Sequence, residues 1–298
     1  MKRLRLSNTI RIYDLETDKY FDEKVFGEWF LKWLYQSRSG SLLGFLFTKL
    51  PFSMMYGALK SSVSSKAQIQ DFIQTYEIEM DEFKSDSEYK CFNDFFIREF
   101  KSGVRSFDLS LDSFPAFCEG RYLVYNSSQK TNIKNTIIDP FELISPTDGA
   151  DFISGQVIVA RLAPVDYHRY HYPDDGVIER QYDVDGLLNS VTPYALASKP
   201  DVLVTNKRRI TILKTEEFGR IAYIEVGALT VGTIKQTHHD TQFKRGQEKG
   251  YFLFGGSTVV ILTEKKVIDF DSKILENSKK GIESFVKLGR PLGKKRNL

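Results

Sequence analysis

The sequence predicts an α+β protein whose core is mainly β, barrel-like or sandwich-like, with a helical region at the N-terminus. Apolar residues recur at three- and four-residue steps over residues 23–84, which is the period of helices that bury one face. From about Phe114 onward, short runs rich in β-branched and aromatic residues alternate with glycine-bearing turns, as strands do. We therefore expect a helical region over residues 1–90, packed against a β-rich catalytic core over residues 91–298.

Composition restricts the class of protein. Of 298 residues, 41% are hydrophobic and 27% are charged, which excludes a disordered chain, and an aromatic content of 13% favours strand-rich packing. A formal charge of +3 is too small to indicate a nucleic-acid-binding protein. The two cysteines lack metal-site or disulfide spacing, so we expect a reducing compartment. No apolar run approaches the roughly 18 residues of a transmembrane helix, so membrane contact is expected to be peripheral.

The first predicted helices carry an aromatic stripe. Trp29, Phe30, Trp33 and Leu34 recur at helical spacing, and both tryptophans of the chain lie on this stripe. A stripe of this kind either packs into the core or lies in a membrane interface, and the sequence leaves both interpretations open. A further helix is predicted over residues 68–84 from its apolar face.

Five strand-rich runs are predicted after the helices, at residues 156–162, 181–184, 209–213, 221–226 and 252–262. The last run contains Phe254-Gly255-Gly256-Ser257-Thr258, which taken alone predicts two strands joined by a tight turn. The same string permits self-cleavage, because a glycine lets the next hydroxyl approach the preceding carbonyl. Attack by Ser257 on the Gly256 carbonyl would convert the peptide bond into an ester. Elimination and hydrolysis would then leave a pyruvoyl group on residue 257.

The candidate partners of Ser257 are a histidine and a carboxylate, because a histidine can accept the hydroxyl proton and a carboxylate can orient the histidine. His168 and His171 are three residues apart, so a strict strand would point them to opposite faces, whereas a bend would bring them together. Asp148 is a candidate carboxylate, although Asp148-Gly149 is also a hairpin-turn signal.

The other two histidines, His238 and His239, are adjacent and have no third ligand at zinc spacing. We predict that they lie in a loop, and we predict no metal site.

Several short strings follow one another from residue 92 to residue 258. They are Phe92-Asn93-Asp94-Phe95-Phe96-Ile97-Arg98, Pro146-Thr147-Asp148-Gly149, Asp166-Tyr167-His168-Arg169-Tyr170-His171, Asn206-Lys207-Arg208, Val226-Gly227-Ala228 with Val231-Gly232, and Lys244-Arg245-Gly246-Gln247-Glu248-Lys249-Gly250-Tyr251-Phe252 leading into Gly256-Ser257-Thr258. In this order they resemble the phosphatidylserine decarboxylase proenzymes, which are pyruvoyl-dependent decarboxylases of phospholipid synthesis.

The resemblance implies roles for particular residues. Asp148, His171 and Ser257 match the self-cleavage triad of that family, and His168 matches the residue that protonates the carbanion after decarboxylation. Cleavage between Gly256 and Ser257 would give a β chain of residues 1–256 and an α chain of residues 257–298, which would stay associated. The pyruvoyl group made from Ser257 would form a Schiff base with the serine amine of phosphatidylserine, and carbon dioxide and phosphatidylethanolamine would be released.

The resemblance also implies a location. The enzyme would be peripheral on the cytoplasmic face of the cell membrane and would contact an anionic membrane surface through Trp29, Phe30, Trp33 and Leu34. Its partners would be the lipid substrate and its own two chains, without nucleic acid, and a homodimer is left open.

The cleavage string departs from many bacterial members, which have leucine where this chain has Gly255, and matches a Gly-Gly-Ser-Thr subtype. One alternative is a decarboxylase of the same family that acts on another amino acid or head group. A second is a serine hydrolase with an Asp-His-Ser triad, although Val259 stands where the Gly-x-Ser-x-Gly motif requires glycine. A third is a non-catalytic membrane-surface protein on the same scaffold.

Overall fold

The structure is a computed structural model that describes residues 9–47, 50–84, 89–126, 131–133, 136–229, 234–255 and 257–296. Its N-terminal helices are short and follow two strands. They are α1 (Glu28–Gln36), α2 (Arg38–Phe47), α3 (Leu50–Lys60), α4 (Gln68–Tyr76) and α5 (Phe92–Phe96), with 3-10 turns at Val63–Ala67 and Met80–Glu82. The helix predicted over residues 68–84 is therefore too long. It ends at Tyr76 because Glu77 adopts a left-handed backbone conformation, with φ of 54°, which terminates the helix.

The remaining helices are distributed among the strands of the β-rich region. They are α6 (Pro140–Leu143), α7 (Pro146–Phe152), α8 (Pro193–Ser198), α9 (Val202–Thr205) and α10 (Ser272–Lys279). Among the described residues, no helix is both long enough and apolar enough to span a bilayer.

A ten-stranded sheet organises the fold. In spatial order its strands are β13 (Gln242–Phe243), β9 (Gly176–Val184), β10 (Arg208–Thr215), β11 (Arg220–Val226), β15 (Ser257–Thr263), β7 (Val157–Leu162), β4 (Gly120–Tyr125), β17 (Glu283–Val286), β1 (Arg11–Asp14) and β2 (Lys19–Asp22). Neighbouring strands are antiparallel except β1 and β17. The N-terminal segment thus begins with strands that complete one edge of this sheet, which the sequence did not predict.

Three smaller sheets accompany the large one. They are β12 (Ile234–Gln236), β14 (Glu248–Phe252) and β8 (Arg169–His171); β16 (Ile268–Phe270), β18 (Pro291–Lys295) and β3 (Ser113–Pro115); and the pair β5 (Thr131–Ile133) and β6 (Thr136–Ile138). The tight turn expected between the strands that flank Ser257 is wrong. β14 pairs with β12 and β8, whereas β15 pairs with β11 and β7, so the intervening residues cross from one sheet to another.

The central strands of the large sheet are buried on both faces. Along β15, Val259 and Ile261 pack in one cluster with Tyr170 and Phe252 of the smaller sheet. Val260 and Leu262, which alternate with them, pack in a second cluster with Leu143, Ile144 and Phe152 from α6, α7 and their connection. Because successive side chains of a strand point to opposite faces, β8 and β14 cover one face and α6 and α7 cover the other. This layered arrangement confirms the predicted α+β, mainly β fold class.

Buried charges join the segment before α1 to the sheet. The Arg161 guanidinium contacts both Glu283, at 2.6 Å, and Glu23, at 2.9 Å, and Glu23 also pairs with Arg121. All four side chains are at most 5% exposed. Removing one member would leave an uncompensated buried charge, so the network fixes the position of the N-terminal helices on the core.

Candidate active site

Ser257 lies at the first position of β15, between two core strands. It stands opposite Leu162 of β7, and its side chain is fully buried. Its hydroxyl oxygen makes no hydrogen bond to any residue that the structure describes. A buried hydroxyl without a partner costs about 1–3 kcal/mol, and such a cost is often retained at reacting groups. Gly256, on the other side of the expected cleavage point, lies outside the described residues.

The segment that leads to Ser257 is held by aromatic packing. The ring of Phe254 lies 4.9 Å from those of Phe92 and Phe96, with edge-to-face geometry in both pairs. Its backbone N–H donates to the side-chain oxygen of Asn93 at 2.8 Å. Gly255 then adopts a φ of 142°, a conformation open to glycine and closed to residues with a Cβ atom. The backbone is therefore fixed immediately before residue 256.

His168 lies beside this segment. Its backbone carbonyl accepts a hydrogen bond from Phe252 at 3.0 Å, and its ring packs on Phe96 with 3.8 Å between ring centroids. Nδ1 is 3.0 Å from the Asp166 carbonyl, and because a carbonyl only accepts, Nδ1 carries the proton. Nε2 has no hydrogen-bond partner among the described residues and keeps its lone pair for an incoming proton.

The surroundings of His168 disfavour its charged form. Burial lowers the pKa of His168 to about 3, and the Arg98 and Arg121 guanidinium groups act in the same direction. The carbonyls of Asp166 and Gly255 oppose this decrease, which places the imidazole next to the backbone of Gly255. The ring is therefore neutral at neutral pH.

His171 is held differently, three residues further along. Its Nδ1 donates to the Gly246 carbonyl at 3.0 Å, and its Nε2 lies 3.4 Å from the Tyr167 hydroxyl. Burial lowers the pKa of His171 to about 4, so this ring is also neutral at neutral pH. The sequence favours a bend here, because Pro173 follows shortly after His171. The structure instead has the extended strand β8, and the rings of His168 and His171 have different neighbours.

Asp148 lies in α7 and makes a separate set of contacts. Its carboxylate forms an ion pair with Arg180 and accepts hydrogen bonds from Tyr182 at 2.8 Å and Ser145 at 2.9 Å. α7 covers the face of the large sheet opposite to β8. Among the described residues, no hydrogen bond joins Asp148, His171 and Ser257. His168 thus lies beside the segment that leads to Ser257, whereas Asp148 pairs with Arg180.

The hairpin interpretation of Asp148-Gly149 is wrong, because these residues lie inside a helix. Ser145 caps α7 by accepting the Asp148 N–H at 3.2 Å, and Pro146 occupies the first turn. Serine followed by proline and an acidic residue at the third helical position is a helix-start signal, so the sequence contained the information. His238 and His239 follow β12 in a loop, where His238 lies 3.1 Å from the Tyr172 hydroxyl.

Comparison with known proteins identifies the family. The sequence model of the phosphatidylserine decarboxylase family matches residues 92–294. The phosphatidylserine decarboxylase proenzyme of Clostridium botulinum strain Langeland is 38% identical over 294 residues, which cover 96% of this chain and 100% of that protein. The proenzyme of the same name from Fusobacterium nucleatum is 37% identical over 97% of this chain and 98% of its own length. The chain belongs to the phosphatidylserine decarboxylase family.

Within the matched family region, sequence reasoning missed residues that position the site. Asn93 bonds to the backbone of Phe254, and the Asp166 carboxylate accepts the Ala163 N–H at 2.7 Å and pairs with Arg121, which fixes the turn that holds His168. The sequence placed both residues in strings typical of the phosphatidylserine decarboxylases. It gave no sign of their partners, which depend on tertiary contacts.

We expect the buried histidines to make stability depend on pH. Their pKa values of about 3 and about 4 lie below the ordinary value of 6.5, so the unfolded chain binds more protons between these limits. The free energy of unfolding should fall as pH decreases from 6.5 to 4, by about 1.4 kcal/mol per pH unit for each histidine.

The measurement is urea unfolding between pH 7 and pH 4.5 of an uncut Ser257→Ala chain, with and without His168→Gln and His171→Gln. The double replacement should flatten the dependence. Parallel pH profiles with and without the histidines would contradict the assignment.

Proposed function

We propose that this chain is a self-processing enzyme that converts phosphatidylserine to phosphatidylethanolamine and carbon dioxide with a pyruvoyl group made from its own Ser257. Family membership over nearly the whole chain supports the decarboxylation and its place in phospholipid synthesis. The observation that carries the self-processing is the unpartnered, fully buried Ser257 hydroxyl directly after the glycine-rich crossing between sheets. The relatives are named proenzymes, which agrees with this proposal.

The proposed cleavage is an acyl shift followed by an elimination. Ser257 Oγ attacks the carbonyl carbon of Gly256, the peptide C–N bond breaks, and its nitrogen takes up the hydroxyl proton. A base then removes the Cα proton of residue 257, and the Gly256 carboxylate leaves from Cβ. The dehydroalanine that remains tautomerises to an imine, and water hydrolyses it to the pyruvoyl group with release of ammonia. The products are residues 1–256 and a capped chain of residues 257–298.

We assign the residue roles that the family pattern implies. His168 is assigned to proton transfer during decarboxylation, and its Nε2 lone pair, which has no hydrogen-bond partner among the described residues, supports this role. His171 is assigned as the base of self-cleavage and Asp148 as its orienting carboxylate. Their neutral imidazole and buried carboxylate suit these tasks. Because α7 and β8 cover opposite faces of the large sheet, these roles require both residues to exchange their present contacts before the cut.

The surroundings of residue 257 fit a pyruvoyl group. That group supplies a carbonyl that condenses with the substrate amine and accepts the electron pair released as carbon dioxide leaves. The chain contributes a dry pocket wall, because Phe96 and Phe254 are buried beside His168. It also contributes a neutral histidine, which can accept and return a proton without first losing one to solvent.

The strand pairing supports continued association of the two products. β15, the first element of the smaller product, is paired on one side with β11 and on the other with β7. β17 lies between β4 and β1, and β18 pairs with β3. Residues 257–296 are therefore interleaved with strands of the larger product, and cutting one peptide bond removes none of these ladders.

We propose membrane attachment through the N-terminal helices, with a corrected set of residues. Leu34 is only 2% exposed and packs in the interior with Leu31 and Tyr35, so it is removed from the predicted membrane face. Trp29 is 80% exposed. Phe30 and Trp33 are partly buried against the same cluster. Other exposed apolar side chains of this region are Leu42, Leu43, Met55, Leu59 and Val63.

A lipid substrate and an exposed apolar surface favour a peripheral enzyme on the cytoplasmic face of the cell membrane. The basic residues at the C-terminus add little to this attachment, because Lys294, Lys295 and Arg296 each lie near a carboxylate. The basic residues at the N-terminus lie outside the described residues.

The substrate test is release of labelled carbon dioxide from phosphatidylserine carrying the label in its serine carboxyl group. We expect release from the lipid and none from free serine, because the site belongs to a family named for the lipid. Ser257→Ala should release nothing, since it cannot form the carbonyl. Activity on free serine alone would instead support the alternative of another head group or amino acid.

A His168→Gln variant tests the role of this histidine in the same assay. His168→Gln should still be cut but should release carbon dioxide about 10²–10⁴ times more slowly, the usual contribution of a general acid or base. A His168→Gln protein with unchanged turnover would contradict the role given to His168.

The membrane test is co-sedimentation with vesicles of phosphatidylglycerol and phosphatidylcholine. Replacing Trp29 and Leu42 with serine should weaken binding more than tenfold, because burying two such side chains in a membrane is worth about 3 kcal/mol or more. The matched control replaces Leu109 and Leu111, which are 76% and 69% exposed on another part of the chain. Equal binding of both double variants would count against this face.

A further inference from the structure

Asn93 connects the N-terminal helices to the backbone next to the expected cleavage point. Its side chain is only 4% exposed. Its Oδ1 accepts the Phe254 N–H at 2.8 Å, and its Nδ2 donates to the Ser61 hydroxyl at 2.8 Å. Ser61 directly follows α3, so this single amide joins the end of α3 to the crossing between the sheets.

A second contact docks the same segment. The Phe92 N–H, at the start of α5, donates to the Ser65 hydroxyl at 2.9 Å, and that hydroxyl lies 2.9 Å from the Lys60 carbonyl. Asn93 is therefore placed by residues 60–65. The position of Asn93 therefore depends on whether the helices that precede α5 have packed on the core.

The backbone between Phe254 and Ser257 has fixed points on both sides. β14 ends at Phe252, after which Asn93 provides the partner of the buried Phe254 N–H. Ser257 is fixed by its place in β15 opposite Leu162. Between these points are two glycines, which restrict the backbone less than any other residue. Without the Asn93 contact, Phe254 and Gly255 would sample many more conformations.

We propose that Asn93 is a positioning residue for self-cleavage, which makes the cut depend on docking of the N-terminal helices; this inference rests on the proposed self-processing. Attack of a hydroxyl on a neighbouring carbonyl requires the two atoms to be held close to the reacting geometry. Asn93 touches neither reacting group. It acts by holding the Phe254 amide, two residues before Gly256, so that the carbonyl of Gly256 is presented to Ser257. The N-terminal helices thereby serve processing as well as lipid contact.

The test follows the cut in full-length chains synthesised in a cell-free pulse and chase, with the fragment of residues 257–298 detected by mass. Asn93→Leu, which removes the acceptor, should slow the cut about 100-fold, the cost expected from a displacement of about 1 Å. Asn93→Asp, which keeps an oxygen at the Oδ1 position, should be cut at nearly the rate of the unmodified chain. Lys60 provides a positive charge near this segment, with its Nζ 4.9 Å from the Phe254 ring centroid.

The matched control is Ser61→Ala, which removes one partner of Nδ2 but leaves its 3.4 Å contact with the Gly57 carbonyl in α3 and leaves the contact with Phe254. Its cut should be close to the unmodified rate.

An Asn93→Leu chain that is cut at the unmodified rate would overturn the inference. A folded Asn93→Asp chain that is cut as slowly as Asn93→Leu would also overturn it. So would two Asn93 variants that lose thermal stability equally and cleavage rate equally, because the effect would then be structural. If Asn93→Leu does not fold, the Asn93→Asp result decides. Failure of the unmodified chain to be cut would instead contradict the proposed function itself.

Discussion

The structure depends on one constraint, namely that the chain crosses from the small sheet to the large sheet within residues 253–256. β14 and β15 are close in sequence, yet β14 pairs with β12 and β8, whereas β15 pairs with β11 and β7. The connection between β14 and β15 therefore cannot form a hairpin. Gly255 allows the chain to change direction here, because its φ of 142° is a backbone conformation that residues with a Cβ atom rarely adopt. The Asn93 contact before Gly255 and the strand ladder that begins at Ser257 fix the described chain on both sides of this crossing.

Burial determines the chemical properties of the side chains near this crossing. The Ser257 hydroxyl lies in a core without a hydrogen-bond partner among the described residues, and burial keeps His168 and His171 neutral. Dry surroundings also lower the effective dielectric constant, which strengthens the influence of nearby dipoles on charge that develops during a reaction. In the function that we propose, the features that make the site costly to fold also prepare it for the cut and for the decarboxylation.

The sequence predicted the fold class because local periodicity reports local structure. The apolar stripe of α1 and the alternation within strands such as β7 and β15 follow directly from the printed residues. The sequence did not predict which strands pair with one another or how deeply particular side chains are buried. Nothing near Ser257 indicates that its strand pairs with β11 and β7 in preference to β14, and nothing near Leu34 indicates that Tyr35 and Leu31 enclose it.

The sequence supplied candidate residues for the site but not their geometry. The strings around Asp148, His168, His171 and Ser257 identified the candidate residues, but contacts across the chain set their positions. Asn93 is 161 positions from Phe254, and no local pattern encodes such a pair. The capped helix around Asp148 was the exception, since Ser145 and Pro146 marked its start in the sequence itself.

The most direct measurement of the central claim is the intact mass of the purified protein. The account predicts two chains, one of residues 1–256 and one that begins at position 257 with a pyruvoyl group in place of serine. The Ser257→Ala protein should give one chain. A single uncut chain with an ordinary serine at position 257 in the unmodified protein would contradict the account.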